Sequence, residues 1–82
     1  MYQFIERYGR EILITRDGQT ILITKALFHS DNIIDLISEV EIKENDIITT
    51  LDTDHSYVVV LATPMYDEHG KIDHIRLQIQ HQ

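Results

Sequence analysis

Five histidines are the residues of this sequence best suited to bind a metal ion or to transfer protons near neutral pH. They are His29, His55, His69, His74 and His81. None has the short paired spacing of a zinc-binding helix, and the chain has no cysteine to supply a thiolate ligand. Asp73 and His74 are neighbours in a predicted strand, so we expect their side chains on opposite faces. The sequence therefore predicts no metal site and no cofactor.

The pattern Asp52-x-Asp54-x-Ser56 begins like a calcium-binding loop. Such a loop needs glycine at its sixth position and a bidentate glutamate at its twelfth, where this chain has Tyr57 and Thr63. A tight turn explains the same residues, because Asp and Ser side chains hydrogen-bond to the backbone in turns. The pattern favours a turn between two strands over a calcium site.

Neighbouring residues form no recognisable catalytic group. Asp54, His55 and Ser56 are the residue types of a hydrolytic triad, but three consecutive residues in one turn cannot converge in that geometry. The three glycines lie far apart in the chain, so they form no phosphate-binding loop. We therefore expect a protein that is not an enzyme and has no catalytic residues.

Acidic residues are concentrated in one part of the 82-residue chain, whose formal net charge is −7. Residues 31–54 contain eight acidic side chains against Lys43 alone, which accounts for the whole imbalance. Six of them are candidate interaction residues: Asp31, Asp35, Glu39, Glu41, Glu44 and Asp46. A pI near 4.9 argues against gripping nucleic acid, because phosphate binding relies on Lys and Arg. The segment is either an ordinary solvated face or a surface that meets a basic partner or cations, or repels phosphate.

The elements that would position these residues are mainly strands, since the chain has fourteen Ile, four Val and seven Thr. A first hairpin is predicted over residues 11–25, because Asp17-Gly18 between two apolar runs favours a two-residue turn. Both of its strands are almost continuously apolar, which predicts cover on both faces. A second hairpin is predicted over residues 46–61. A third has its turn at 67–71 and its last strand at 72–80, and Pro64 should bend or interrupt the pairing.

Residues 26–44 are ambiguous. Ser30 and Asp31 fit the start of a two-turn helix, with Ile33, Ile34, Leu36 and Ile37 on one side. The alternative is a loop across the end of the sheet, followed by a strand at Val40 and Ile42. The helix is our prediction. With five to seven short strands, the fold class is mainly β: a small antiparallel β-barrel or sandwich with one short helix or long loop, as a single domain over residues 1–82.

The aromatic residues are dispersed, and we expect most of them in the core or in strand pairs. Phe28 and Tyr66 are the exceptions, because both adjoin predicted loops, and they are the expected exposed interface anchors. No apolar run approaches the roughly 18 residues of a membrane span, and the start of the chain lacks the layout of a signal peptide. We therefore expect no membrane association.

Four features follow one another in the back half of the chain. They are an acidic residue that opens a strand at Asp46, a Tyr-x-Val strand from Tyr57, a proline at Pro64, and a glycine turn at Gly70 followed by a His-Ile strand at His74. This order resembles the small neck proteins of tailed phages, of the head–tail connector, head-completion or stopper kind.

The resemblance implies a barrel-like subunit of a ring around a DNA channel, joining portal or adaptor to tail. It implies a non-enzymatic virion protein made in the host cytoplasm, whose partners are copies of itself and portal, adaptor or tail proteins. DNA would pass through without being gripped, and residues 26–46 would form a loop or helix that faces the channel or the neighbouring ring. The alternative is a small bacterial β-domain that docks a basic peptide or a partner subunit on its acidic segment, by strand addition to an open sheet edge.

Overall fold

Six strands and one short helix make up the protein. The computed structural model describes residues 2–82. Its elements are α1 (Tyr2–Tyr8), β1 (Arg10–Arg16), β2 (Gln19–Phe28), β3 (Ile33–Leu36), β4 (Ile47–Thr50), β5 (Ser56–Tyr66) and β6 (Ile72–His81). The strands form a closed barrel in the order β1-β2-β3-β6-β5-β4, and every neighbouring pair is antiparallel. The predicted mainly β fold is confirmed, and of the two predicted architectures, barrel or sandwich, it is the small antiparallel barrel.

The three predicted hairpins are all present, and their turn residues explain why. Asp17 and Gly18 both have positive φ, 53° and 78°, which the two-residue turn between β1 and β2 requires. Between β4 and β5, Thr50 Oγ1 accepts a hydrogen bond from the backbone N–H of His55 at 3.0 Å. Between β5 and β6, Asp67 Oδ1 accepts hydrogen bonds from two backbone N–H groups of its own turn.

The barrel interior is filled by side chains from all six strands. The buried apolar residues are Ile12, Ile14, Ala26, Ile34, Leu36, Ile42, Ile48, Tyr57, Val59, Leu77 and Ile79. One chain therefore supplies a closed core by itself. The predicted cover on both faces of the first hairpin is only partial, because Leu13 is half-buried on the outside and Ile23 is exposed there.

Residues 33–36 form strand β3, so the predicted helix at this position is wrong. β3 pairs with β2 on one side and with β6 on the other, with Ile34 opposite both Phe28 and Leu77. Ladder partners on both sides satisfy the extended backbone, and this outweighs a helical pattern that is only two turns long. The alternative strand at Val40 and Ile42 is also wrong, because residues 37–46 contain no strand.

Residues 37–46, called here the crossing segment, connect two strands that are not neighbours. β3 and β4 are separated in the closed barrel by β6 and β5 on one side and by β2 and β1 on the other, so the segment has to cross between strands that do not touch. Ile42 is buried in the core from this segment. Its end is held to β5, because Asn45 N–H donates to Val59 O at 2.8 Å and Val59 N–H donates to Asp46 O at 2.9 Å.

The short helix lies at the start of the chain rather than at residues 31–37. α1 packs against β2, and its single buried side chain is Ile5. Gly9 N–H donates to Ile5 O at 2.8 Å, and a side chain at Gly9 would overlap that same carbonyl oxygen. Lys25 Nζ donates to Glu6 O at 3.1 Å. Among residues 2–82 no helix has the length and hydropathy needed to cross a membrane.

The β5–β6 hairpin continues beyond the rest of the barrel, and we call residues 61–74 the arm. β4 pairs with β5 only from Ser56 to Val58, whereas β6 pairs with β5 as far as Tyr66. Pro64 lies in register opposite Ile75, so the predicted interruption at Pro64 is wrong. The irregularities instead lie on either side of it, at Val59/Leu61 and at Met65/Tyr66. Proline is tolerated because β5 has a ladder partner on one side only along this stretch.

Candidate functional site

The structure divides the six acidic interaction residues into two groups. Asp35 and Asp46 are buried, with exposed fractions of 0% and 2%. The other four are exposed: Asp31 in the turn before β3, and Glu39, Glu41 and Glu44 in the crossing segment. The expectation that residues 26–46 form one loop or helix is also wrong, since they contain the end of β2 and all of β3.

Asp35 is a buried carboxylate on the outer side of β3, opposite Arg76 of β6. Arg76 donates two hydrogen bonds to it, Nε to Oδ1 at 2.9 Å and Nη2 to Oδ2 at 3.1 Å, and His29 Nε2 also contacts Oδ2. Burial acts to raise the pKa of Asp35, but the hydrogen bonds from Arg76 and His29 outweigh it and hold the pKa below its usual value. The contacts make Asp35 a structural ion-pair centre and leave it unavailable to a partner.

His74 lies beside this centre. Its Nε2 is buried without a hydrogen-bond partner among the described residues and lies 3.7 Å from Asp35 Oδ2. Its Nδ1 is 2.7 Å from Asp73 Oδ2, so the expectation that Asp73 and His74 point to opposite faces is wrong. The ladder skips Asp73, and a bulge of this kind breaks strand alternation. Within residues 2–82 no three His, Asp or Glu side chains are grouped to hold a metal ion.

Asp46 fixes the crossing segment to β1. Arg16 donates Nε and Nη2 to its two carboxylate oxygens, each at 2.8 Å, and the Lys43 N–H donates at 2.8 Å. Burial acts to raise the pKa of Asp46, but the hydrogen bonds from Arg16 and Lys43 outweigh it and lower the pKa. Arg16 Nη2 also donates to Glu41 O at 2.8 Å, so one guanidinium binds the crossing segment at both Glu41 and Asp46.

The two predicted aromatic anchors differ in exposure. Tyr66 is 62% exposed at the end of β5. Phe28 is half-buried, with its ring centroid 6.1 Å from that of Tyr57 and the Arg10 guanidinium 4.6 Å above its face, so its expected exposure is wrong. Arg10 also pairs with Asp52, with Nε 3.0 Å from Oδ2, and this ion pair ties the turn between β4 and β5 to β1.

An apolar groove lies between the crossing segment and the arm. Its volume is about 400 Å³, and its lining residues are Ser38, Glu39, Val40, Glu41, Ile42, Ala62, Pro64, Ile72 and Ile75. The apolar members come from both sides, whereas the two carboxylates belong to the crossing segment. The sequence alone did not reveal this groove, because its two sides are brought together only by the path of residues 37–46 past β6 and β5.

Large apolar side chains are exposed on the outside of the barrel. Three of them are aromatic residues of α1, Tyr2, Phe4 and Tyr8, and Phe4 stacks on Tyr8 with ring centroids 6.3 Å apart. Others are Ile23, Leu51, Leu61, Tyr66 and Ile72. We expected most aromatic residues in the core, and the helix places these three outside it.

Comparisons with protein-family models, curated proteins and solved structures found no match to this chain. Three features of the molecule itself then bear on function. They are the barrel core completed by one chain, the large apolar side chains on its outside, and the groove with two carboxylates.

Proposed function

We propose that the protein is a non-enzymatic structural subunit of a phage or prophage virion, part of a ring that joins the head to the tail around the DNA channel. The observation that carries this proposal is the set of large apolar side chains exposed on a barrel that needs none of them for its own core. Large apolar side chains exposed to solvent are a feature of surfaces that contact other proteins.

The exposed groups are also of the kinds that interfaces favour. Aromatic side chains are enriched at the centre of protein interfaces, and α1 exposes Tyr2, Phe4 and Tyr8 within seven residues. In the second half of the chain, the arm exposes Leu61, Tyr66 and Ile72. Such residues suit a subunit that packs against copies of itself and against portal, adaptor or tail proteins.

The charge supports a place beside DNA without adhesion to it. The chain carries −7, and Asp31, Glu39 and Glu44 are exposed. Negative charge repels the phosphates of a passing duplex, because nucleic-acid affinity depends on Lys and Arg displacing the counterions.

Electron microscopy of the purified protein tests the ring, alone and mixed with any portal and tail proteins that are encoded beside it. We expect rings in at least the mixed sample. Single subunits in both samples, or a gene neighbourhood without capsid, portal and tail genes, would contradict the proposal.

Charge reversal tests the exposed acidic residues. The triple variant Asp31→Lys, Glu39→Lys and Glu44→Lys should lose assembly or DNA retention, and Asp35 is left out because its burial would confound the result. The control is Glu6→Lys, Glu11→Lys and Glu68→Lys, which makes the same charge change at exposed sites elsewhere. Unaltered assembly and infectivity in the first triple variant would exclude a role for these carboxylates.

A second candidate function is a small bacterial β-domain that docks a basic peptide or a partner subunit. The groove favours it, because Glu39 and Glu41 lie in its wall. The gene neighbourhood and the search for rings separate this candidate from the phage neck.

A further inference from the structure

The helix α1 has an exposed aromatic face that also carries a positive charge. Phe4 and Tyr8 are 60% and 61% exposed, and their rings stack on one another. Arg7 is exposed three positions after Phe4 and shares its side of the helix, because helical residues three and four apart are neighbours. Glu6 lies two positions from both rings and therefore does not face the same way. This face presents two aromatic rings together with one cation.

The groove between the crossing segment and the arm has the complementary chemistry. Its apolar lining includes Ile72, which is 58% exposed, and Tyr66 lies opposite Ile72 in the ladder. Glu39 and Glu41 line the groove and are exposed. Arg16 binds only the main-chain oxygen of Glu41, so the carboxylate of Glu41 stays available. An occupant with apolar rings and a cation matches this lining.

The helix and the groove lie at different places on the molecule. α1 packs on β2 and supplies none of the described residues that line the groove. In the closed order β1-β2-β3-β6-β5-β4, β2 and β5 are three strands apart in both directions, so they are opposite strands of the barrel. Two complementary surfaces at different places on one subunit make a head-to-tail contact, which repeats from copy to copy and gives a ring when the rotation closes.

We propose that α1 of one copy of the protein binds in the groove of the next copy and so joins the subunits of the ring. The rings of Phe4 and Tyr8 lie against the apolar lining. Arg7 lies beside the carboxylates of Glu39 and Glu41. The apolar contacts supply most of the affinity and the charges select the orientation, because electrostatic complementarity contributes more to specificity than to affinity. This inference rests on the proposed role as a ring subunit and names the two surfaces that join the copies.

Two variants, each altered on one side of the contact, test it by sedimentation velocity. The helix variant is Phe4→Ser with Tyr8→Ser, and the groove variant is Glu41→Arg with Ile72→Arg; all four positions are exposed. In about 0.5 M NaCl, where net charge is screened, each variant should self-associate at least about tenfold more weakly than the wild type. A mixture of the two should form a one-to-one dimer and nothing larger, because the helix variant keeps its groove and the groove variant keeps its helix.

The control variant Tyr2→Ser with Leu51→Ser removes two exposed apolar side chains outside the proposed contact and should self-associate like the wild type. An equal loss in this control would overturn the proposed surfaces. Self-association of the groove variant at wild-type strength would overturn them too, since it would show that the copies join by another surface. Variants that form no mixed dimer, or a wild type that stays monomeric up to about 1 mM, would also overturn the head-to-tail contact.

The charge contact has its own readout. Arg7→Glu and the pair Glu39→Lys with Glu41→Lys change the net charge in opposite directions, yet each should weaken self-association several-fold. Combining all three in one chain should recover it, because the pairing is restored with the signs exchanged. No recovery would overturn the position of Arg7 in the groove. Rings that form with the helix and groove variants would contradict this inference only, and mixed dimers without wild-type rings would contradict the neck proposal only.

Discussion

At the scale of single residues, the buried carboxylate of Asp35 gives the sharpest test of what holds β3 in the barrel. We expect Asp35→Ala to lower the free energy of unfolding by about 3 kcal/mol, because it removes the group that joins Arg76 and His29 to β3. Urea denaturation measures the loss. Asp31→Ala is the matched control, since Asp31 is exposed four positions earlier and should change stability by less than about 0.5 kcal/mol. Similar values for the two variants would show that the ion-pair centre contributes nothing.

The two buried carboxylates also set the response to acid. The pKa of Asp35 and the pKa of Asp46 are both lowered in the folded protein. Their contribution to stability is therefore complete above the unfolded pKa, near 3.9, and is lost as the pH falls through the lower folded pKa values. We expect the urea midpoint to fall steeply below about pH 4. The variant Asp35→Asn with Asp46→Asn should start lower at pH 7 and lose less between pH 5 and pH 3, whereas parallel curves would contradict this linkage.

At the scale of elements, α1 is attached to the barrel through one buried side chain. We expect Ile5→Ala to release the helix, because Ile5 is its only buried residue and α1 contacts β2 alone among the strands to an appreciable extent. Limited proteolysis should then cut within residues 2–8, while the amide signals of β3 to β6 stay in place. The control Gln3→Ala changes an exposed position of the same helix and should leave it docked. Unfolding of the whole barrel by Ile5→Ala would show that α1 is part of the core.

The elements that the sequence predicts best are those fixed by local turn chemistry. Asp17-Gly18 and Gly70 specify left-handed backbone where the first and third hairpins turn, and a short sequence window contains that information. β3 has no such marker, since Ile33 to Leu36 fits a helix or a strand equally until β2 and β6 supply ladder partners. α1 could not be predicted either, because a seven-residue helix depends on the docking of Ile5 rather than on its own propensity.

At the scale of the whole molecule, charge that is clustered in the sequence is dispersed in space. The acidic segment supplies two buried carboxylates, Asp35 and Asp46. They pair with Arg76 and Arg16, which lie 41 and 30 positions away from them in the chain. Spacing in the sequence does not reveal such pairs, so the candidate site could be predicted only in part. The exposed Asp31, Glu39, Glu41 and Glu44 remain, and the groove that gives Glu39 and Glu41 an apolar neighbour exists only in the folded barrel.

Net charge and exposed apolar surface act in opposite directions when copies of this protein meet. The molecule measures 36 × 24 × 20 Å, so charges on its far sides are screened from one another at 0.1 M salt, where the Debye length is about 10 Å. Repulsion between copies then comes mainly from the carboxylates near the contact, while apolar contacts hold the copies together. At 0.02 M and 0.5 M NaCl the Debye length is roughly 20 Å and 4 Å. Raising NaCl from the lower to the higher concentration should therefore increase the oligomer fraction measured by sedimentation velocity.

The amide variant Asp31→Asn, Glu39→Gln and Glu44→Gln should assemble at lower salt than the wild type, because it removes three negative charges without changing side-chain size. A control with Glu6→Gln, Glu11→Gln and Glu68→Gln makes the same change in net charge elsewhere. If both variants shift the salt curve equally, net charge rather than the acidic segment governs association. If salt dissolves the oligomers, ion pairs and not apolar side chains join the copies. If the protein stays monomeric across the whole salt series, copies of it do not associate by themselves. The proposed ring could then form only on portal, adaptor or tail proteins.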